Sequence, residues 1–343
     1  MREILKDIFI NEVNLKMKDP PFLNLIVVKA SPRSLLFDTG VTKVASESCA
    51  QALYDMLESL GIEIKDLDCF ISHAHPDHIG LAKELSEKGA TIYANADEMK
   101  AWDSLIYYQV ADEKKRERLF QSVGLERKKL PAVYEKMSET AMREFFNMPF
   151  ANFEFTPIRT GDMLSYGEYH FQVVSLSGHT KYQMGLMDEE KKLIFCADHI
   201  MQRIVPIVGA IDDGENALEG YFQTMRFLKE KCRGFLFIPC HGEEFRDLEI
   251  EADRIVNHYL SKCQLMIDLL RKKGEKMTIR DIGTTIYGRD REHPDMKKFS
   301  SCLLIWAKTY ACLLYMRNLG FVLEEEVDGV RYWFYNKNDN GTK

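Results

Sequence analysis

The chain has 343 residues, of which 45% are hydrophobic and 29% charged, and its formal net charge is −7. This length and composition are typical of a globular protein with two domains or one large domain carrying an appendage. The negative charge gives no general attraction for nucleic acid or an anionic membrane surface, and no run of about 18 apolar residues predicts a membrane-spanning helix.

The N-terminal residues and the cysteines both favour a cytoplasmic location. The first seven residues, Met1 to Asp7, lack the apolar region and small-residue cleavage site of a signal peptide. The eight cysteines include no C-x-x-C pair, and several lie in apolar runs. We therefore expect reduced, buried thiols, and set Cys240 apart from the others because it precedes a histidine.

The first hundred residues alternate short apolar runs with segments of helical spacing. The pattern predicts strands at 24–28 and 34–38, a helix over 48–60, a strand at 69–71, a helix over 79–88 and a strand at 91–93. Gly61 is expected to end the first of these helices. Such alternation indicates a layered α/β architecture.

Residues 97–150 differ from what precedes them. They are rich in charge and carry aromatic residues at helical spacing. This predicts a helical insertion beside the main fold. A packing role is favoured, because aromatic stripes of this kind usually face a core; a lid and a homodimer surface are the alternatives.

The second half of the chain begins with strands and ends with helices. Strands are predicted at 171–176, 184–187, 193–196 and 235–238, with a hairpin turn at 188–192. The pattern becomes mainly helical from 247 and closes with two β-rich runs around Asp328-Gly329, a strong hairpin signal. We therefore predict an α/β domain over residues 1–246 and a helical, winged-helix-like domain over 247–343.

The segment from Ser72 to Gly80 carries the clearest chemistry. It places His73, His75, Asp77 and His78 within six positions. Imidazole nitrogens and carboxylate oxygens are the ligands that zinc and similar ions prefer. His73 and His75 are two residues apart, so an extended backbone directs both to one side. Four ligands this close can serve two adjacent ions.

A closed metal site needs further ligands, and three candidates follow predicted strands. His179 lies after the 171–176 strand, Asp198 after the 193–196 strand and His241 after the 235–238 strand. The ends of buried strands can meet at one sheet edge. Any one of these residues alone would more often be a hydrogen-bonding or turn residue. We leave four other histidines in that class: His170, His199, His258 and His293.

Five motifs in this order resemble the metallo-β-lactamase superfamily. They are Asp38-Thr39-Gly40, the H-x-H-x-D-H pattern from His73, Gly178-His179-Thr180, Asp198 after its strand, and Cys240-His241-Gly242. The resemblance covers about residues 20–245 and implies a four-layer αβ/βα sandwich with metal at one edge. The ligand types resemble those of glyoxalase II-like thioesterases, and the tail resembles that of the β-lactamase-like protein 2 subgroup.

The resemblance also implies which residues hold metal. His73, His75 and His179 would hold one ion, and Asp77, His78 and His241 the other, with Asp198 bridging both. The expected cofactors are two divalent ions, zinc first, with iron or manganese as alternatives. Tyr182 after the Gly-His-Thr motif and Ala197 before Asp198 depart from the common pattern, and neither removes a ligand.

The implied reaction is hydrolysis of a small-molecule thioester, ester or lactone. A hydroxide bridging the two ions would attack the carbonyl, while Asp198 holds both ions and Asp77 accepts a proton. Asp38 is expected either to orient a ligand histidine or to form a turn. Arg203 is expected either to meet an anionic substrate group or, as we favour, to form a surface salt bridge.

Three other functions stay open at this point. The first is cleavage of RNA or another phosphodiester, although residues 275–343 hold eleven lysines and arginines against ten acidic residues and so attract phosphate weakly. The second is mononuclear iron dioxygenase chemistry on a persulfide. The third is a non-catalytic ligand-binding protein, for which alanine at Asp77 or Asp198 would leave function intact.

Overall fold

The computed structural model describes residues 1–15, 21–42, 46–101, 113–125, 153–210, 214, 216–288 and 296–337. Most of the predicted 97–150 insertion therefore lies outside the described residues. The described helices are α1 (Glu47–Leu60), α2 (Pro76–Ile79), α3 (Ala82–Glu87), α4 (Ala96–Ala101), α5 (Glu113–Ser122), α6 (Ala217–Lys231), α7 (Leu248–Lys273), α8 (Ile279–Tyr287) and α9 (Met296–Asn318).

Fifteen strands are present in the described part of the chain. They are β1 (Arg2–Leu5), β2 (Ile8–Asn14), β3 (Phe22–Val28), β4 (Ser34–Phe37), β5 (Leu67–Phe70), β6 (Thr91–Ala94), β7 (Thr156–Pro157), β8 (Met163–Tyr166), β9 (Tyr169–Ser175), β10 (Met184–Asp188), β11 (Leu193–Ala197), β12 (Leu236–Pro239), β13 (Met277–Thr278), β14 (Val322–Val327) and β15 (Val330–Tyr335).

The chain divides into two compact units. The first comprises the described residues of Met1–Trp102, Phe145–Pro206 and Thr224–Ala252. The second comprises those of Asp103–Glu144, Ile207–Gln223 and Asp253–Lys343. The domain boundary at 246/247 stays a prediction.

Two sheets form the centre of the first unit. The first sheet has the order β1-β2-β3-β4-β5-β6-β7, and its strands from β4 to β7 are parallel. The second has the order β12-β11-β10-β9-β8. Phe37 of the first sheet packs edge-on against Phe195 of the second, with ring centroids 5.3 Å apart. The facing sheets and their helices confirm the predicted mixed α/β architecture.

Helix α1 follows the sequence prediction closely. The Ser46 side chain accepts a hydrogen bond from the Cys49 N–H and so caps the first turn. Leu53, Leu57 and Leu60 are buried on one face. The helix ends at Gly61, whose φ of 67° is the left-handed conformation that glycine adopts without steric cost.

The prediction of one continuous helix over 79–88 is wrong. The structure has two short helices, α2 and α3, separated by Gly80 and Leu81. The Gly80 N–H donates to the Gly40 carbonyl, and the Leu81 N–H donates to the Thr39 side chain. These two amides are therefore bonded to the segment after β4, and the helix is interrupted.

The second unit contains α8, α9 and a sheet of order β13-β15-β14. β14 and β15 form the predicted hairpin, with Asp328 and Gly329 both at positive φ, 49° and 76°. The winged-helix-like assignment of this region stays a prediction. None of the helices in the described ranges is long and apolar enough to cross a membrane.

Candidate metal centre

The seven residues expected to bind metal lie together in the first unit. Each lies beyond the end of a strand in one of the two sheets. His73, His75, Asp77 and His78 come after β5, the last two within α2, while His179 comes after β9, Asp198 after β11 and His241 after β12. They form two groups with ligand atoms close enough to share an ion: His73, His75 and His179 in one, and Asp77, His78, Asp198 and His241 in the other.

The first group consists of three converging imidazoles. His73 Nε2 and His179 Nε2 each lie 2.9 Å from the same atom, His75 Nδ1. One ring nitrogen cannot satisfy both neighbours with a single N–H, because it carries either one proton or one lone pair. Three ring nitrogens directed at one point match the way histidines surround a zinc-like ion.

The second group combines two imidazoles with two carboxylates. His241 Nε2 lies 3.2 Å from Asp77 Oδ2 and 3.4 Å from Asp198 Oδ2. His78 Nε2 lies 3.6 Å from Asp77 Oδ2 and 3.5 Å from Asp198 Oδ2. Asp198 Oδ2 is also 3.7 Å from His179 Nε2 of the first group. Asp198 therefore lies between the two groups.

Charge and burial act differently on the histidines of the two groups. Burial, helped by neighbouring histidines, lowers the pKa of His75 to about 3 and places that of His73 well below its usual value. Burial opposes the positive charge of His241 too, yet Asp198 and Asp77 raise its pKa to about 10. The pKa of His78 is likewise raised against burial, by Asp77, Asp198 and Asp38.

The carboxylates of the second group are held ionised. Burial alone would raise the pKa of Asp77 and of Asp198. The neighbouring positive charges of His78 and His241 outweigh it, so both pKa values lie below the usual range. Without metal the group balances its own charges, and a divalent cation would replace the protons that the imidazoles hold.

The donor atoms fit a metal ion. In the described part of the chain, three buried atoms of the second group make no hydrogen bond of acceptable geometry, although charged groups lie close to them: His78 Nε2, Asp198 Oδ1 and His241 Nε2. Buried polar atoms are nearly always hydrogen-bonded, so a set without such bonds calls for an explanation. These atoms are nitrogens and a carboxylate oxygen, which are ligands for zinc, iron or manganese.

Contacts on the far side of three imidazoles fix their orientation. His78 Nδ1 donates to Asp38 Oδ2 at 2.8 Å, and His241 Nδ1 donates to the Phe22 carbonyl at 2.7 Å. His73 Nδ1 lies 2.9 Å from Ser72 Oγ, which in turn donates to Asp38 Oδ2 at 2.7 Å. The Nε2 atoms therefore face the centre, as in metal sites whose ligands are held by outer partners.

Asp38 therefore contacts a candidate ligand histidine, as expected if it orients that histidine. It follows β4 with a φ of 58°, a left-handed conformation that aspartate tolerates better than most residues. Besides His78, its carboxylate accepts hydrogen bonds from the Ser72 N–H at 2.7 Å and the Cys240 thiol at 3.2 Å. Arg203 is exposed, with its backbone N–H donating to Glu251 at 3.1 Å.

Asn24 braces the turn that carries His241. Its buried side-chain amide donates to the carbonyls of Pro239 at 3.0 Å and Gly242 at 2.7 Å. Asn24→Ala should therefore lower the free energy of unfolding by about 1–3 kcal/mol, because one buried and one part-buried carbonyl lose their donor. Urea denaturation measures this.

Asn11→Ala is the matched control for Asn24→Ala. The Asn11 amide makes one longer, partly buried bond of 3.4 Å to the Ala52 carbonyl. We expect this change to cost less than about 1 kcal/mol. Equal effects of the two substitutions would contradict a bracing role for Asn24.

Gly80 allows α2 to approach the segment after β4. A Cβ on Gly80 would lie 2.3 Å from the Thr42 nitrogen and 2.5 Å from the Gly40 carbonyl oxygen, both backbone atoms. Gly80→Ala should displace α2, which carries Asp77 and His78. It should lower the free energy of unfolding by about 1–3 kcal/mol.

Thermal unfolding of the Gly80→Ala and Gly61→Ala proteins compares two costs of adding a Cβ. One is the steric clash at Gly80, and the other is the unfavourable left-handed φ at Gly61. A Cβ on Gly61 meets nothing within 4 Å, so only its left-handed φ opposes alanine. We expect that cost to be about 1 kcal/mol. A Gly80→Ala protein with the Tm of the unchanged protein and full metal content would contradict the crowding argument.

Several residues near the centre were not singled out from the sequence. Asn24 is one, and Glu98 of α4 is another, with its carboxylate bonded to the Ala74 and Tyr182 N–H groups. The only local signal at Glu98 is its place three residues after Asn95, which is typical of helix capping. Of the histidines set aside, His170, His199 and His258 lie outside both groups, and His293 lies outside the described residues.

A family comparison and a comparison with curated proteins give consistent results. Residues 22–269 match the model of the metallo-beta-lactamase superfamily. Hydroxyacylglutathione hydrolase GloC of Haemophilus influenzae is 25% identical over 158 residues. That match spans 45% of this chain and 58% of the relative.

Solved structures share the fold over nearly the whole chain. A metallo-beta-lactamase family protein from Thermus thermophilus has a TM-score of 0.77 at 19% identity, covering 97% of this chain and 100% of that one. A beta-lactamase domain protein from Burkholderia ambifaria has a TM-score of 0.79 at 19% identity, covering 97% and 94%. At these identities the likeness concerns the fold.

Proposed function

Because the chain belongs to the metallo-β-lactamase superfamily, we propose that it is a metal-dependent hydrolase of a small-molecule thioester, ester or lactone. The observation that carries this proposal is the position of Asp198. Its Oδ2 atom lies within 4 Å of imidazoles from both groups, 3.7 Å from His179 and 3.4 Å from His241. One carboxylate between two sets of imidazoles is suited to joining two ions.

The proposed metal ligands divide between the two groups. His73, His75 and His179 would hold one ion, and Asp77, His78 and His241 would hold the other, with Asp198 shared between them. Bound divalent ions supply a Lewis acid for the scissile carbonyl and lower the pKa of water from about 15.7 to about 7. The nitrogen and oxygen donors suit zinc, with iron and manganese as alternatives.

The chain's own residues have distinct roles in this proposal. The carboxylate of Asp198 balances positive charge between the groups. Asp77 is the more accessible of the two carboxylates, with 16% of its side chain exposed against 10% for Asp198. We assign to it the further role of accepting the proton that an attacking water loses. Asp38 and Ser72 keep the imidazoles of His78 and His73 in position.

The choice of substrate class rests on the curated relative as well as on the ligand types. That relative is named for hydrolysis of hydroxyacylglutathione, and an acylated glutathione is a thioester. Thioesters therefore come first, with esters and lactones as the related acyl compounds. Phosphodiesters rank lower because the sequence after residue 275 is nearly neutral in charge.

The test is metal analysis of the purified protein together with a panel of thioester, ester, lactone and single-stranded RNA substrates. We expect two divalent ions per chain and hydrolysis of an acyl substrate that a chelator abolishes and added zinc restores. Cleavage of RNA alone would overturn the substrate class. One iron per chain with oxygen consumption on a persulfide would replace hydrolysis by oxygenation. Acyl hydrolysis that survives complete removal of metal would overturn the mechanism.

A further inference from the structure

Glu98 is a buried carboxylate with an unusual set of partners. Only 4% of the residue is exposed. The Asn95 side chain accepts hydrogen bonds from the N–H groups of Asp97 and Glu98, which makes Asn95 the N-cap of α4 and Glu98 its third helical residue. A glutamate at that position commonly turns back to the N–H of the cap residue.

The Glu98 carboxylate instead reaches away from its helix. Oε1 accepts a hydrogen bond from the Ala74 N–H at 3.1 Å, and Oε2 accepts one from the Tyr182 N–H at 3.2 Å. No lysine, arginine or histidine among the described residues forms an ion pair with it. Burial raises the pKa of Glu98, while the two backbone amides oppose that rise. The carboxylate is therefore held by neutral donors and by no cation.

The two amides belong to two segments that carry metal ligands. Ala74 lies between His73 and His75, and Tyr182 lies three residues after His179. Across these segments His75 Nδ1 and His179 Nε2 are 2.9 Å apart. Glu98 thus contacts both sides of the three-histidine group without touching an imidazole.

A backbone hydrogen bond also joins the two segments close to the carboxylate. The Met184 N–H donates to the Ser72 carbonyl at 2.9 Å, joining the segments where they leave β5 and enter β10. Ala74 lies two residues after Ser72, and Tyr182 lies two residues before Met184. The Glu98 carboxylate accepts the N–H groups of those two residues. The carboxylate therefore connects the two segments beyond the hydrogen bond between Ser72 and Met184.

We propose that Glu98 is a positioning residue for the metal centre, whose carboxylate holds the His73–His75 segment and the His179 segment at the spacing that three imidazoles need around one ion. This inference rests on the proposed metal-binding function. Outer residues of this kind commonly change metal affinity by about 10- to 100-fold when replaced.

Glu98→Gln tests the inference with little change in volume. The amide oxygen can accept one of the two N–H groups, but the amide nitrogen is a donor and cannot accept the other. We expect the three-histidine site to bind metal about 10- to 100-fold more weakly, while the site of Asp77, His78 and His241 keeps its affinity. Glu98→Asp keeps the charge but is one methylene shorter, so it should not restore the affinity.

Cobalt titration of the metal-free protein measures the affinity of each site without an activity assay. Absorption spectra and competition with a chelator follow the binding. Asp97→Asn is the matched control, because Asp97 is exposed on the same helix turn. Far-UV circular dichroism of each variant checks the fold. The expected result is a weakened three-histidine site in Glu98→Gln and Glu98→Asp, and two unchanged sites in Asp97→Asn.

Each other outcome has a definite meaning. Glu98→Gln with both affinities unchanged overturns the positioning role while leaving the proposed function intact. Loss of both sites, or of the helical circular dichroism signal, also overturns it, since Glu98 would then serve the whole fold. A protein with the natural Glu98 that binds no cobalt and no zinc overturns the proposed function, and the inference falls with it.

Discussion

Replacing Asp198 by asparagine should remove metal from both sites and lower hydrolysis by at least about 100-fold. The substitution keeps the shape of the side chain and deletes the negative charge between the two groups. Asp198 Oδ2 lies 3.5 Å from His78 Nε2 and 3.4 Å from His241 Nε2, so an amide nitrogen there would face positively polarised neighbours. Metal content per chain and kcat/KM on the substrate that the panel identifies measure the two effects.

The same variant should change the metal-free protein in a second way. Asp198 is a principal cause of the raised pKa of His241, after burial, which opposes it. Without that carboxylate the pKa of His241 should fall from about 10 toward its usual value, as histidine NMR titration can show. Asp55→Asn, a change on the exposed face of α1, is the control. Asp198→Asn protein that retains two ions and normal kcat/KM would contradict the shared role.

Replacing Asp38 should also have a large effect, here on the free energy of unfolding. Two substitutions, to alanine and to asparagine, remove different numbers of its hydrogen bonds. Asp38→Ala leaves His78 Nδ1, the Ser72 N–H and hydroxyl, and the Cys240 thiol without their common acceptor. Breaking such a buried charged network should cost about 3–5 kcal/mol in the free energy of unfolding. Asp38→Asn keeps one acceptor oxygen and a residue that tolerates the left-handed conformation, so we expect about 1–3 kcal/mol.

Metal affinity distinguishes an orienting role for Asp38 from a purely structural one. Asp38→Asn should weaken metal binding about 10- to 100-fold even where the protein remains folded, because His78 loses its carboxylate partner. Asp7→Asn is matched in backbone conformation, since Asp7 has a φ of 59° against 58° for Asp38. It should change stability by less than about 0.5 kcal/mol. Unchanged metal affinity in folded Asp38→Asn would assign Asp38 to the turn alone.

The strands and the candidate ligands were accessible from the sequence because both leave local patterns. A run such as Leu193 to Cys196 is apolar and short, as a buried strand requires, and it is fully buried in β11. His73, His75, Asp77 and His78 fall within six positions, so their clustering needs no knowledge of the fold. The resemblance then connected them with residues more than a hundred positions away.

The residues that support the ligands were not accessible in this way. Asn24 contacts the carbonyl of Gly242, and Glu98 contacts the amides of Ala74 and Tyr182, so each acts across a large separation in sequence. The break between α2 and α3 has the same origin. Helical spacing continues through Leu81, but the Gly80 and Leu81 N–H groups bond to Gly40 and Thr39 instead of to helix carbonyls. Long-range partners override local preference at these positions.

The wide separation of the ligands along the chain has a consequence for folding. His73 and His241 are far apart in sequence, and His179 and Asp198 come from strands between them. Contacts of such high sequence separation form slowly, because a long loop must close before they give any stabilisation. A growing chain therefore lacks the whole site until residue 241 has been made. Metal capture should be among the last folding events, and an ion at 100 times its Kd would then stabilise the native chain by about 2.7 kcal/mol.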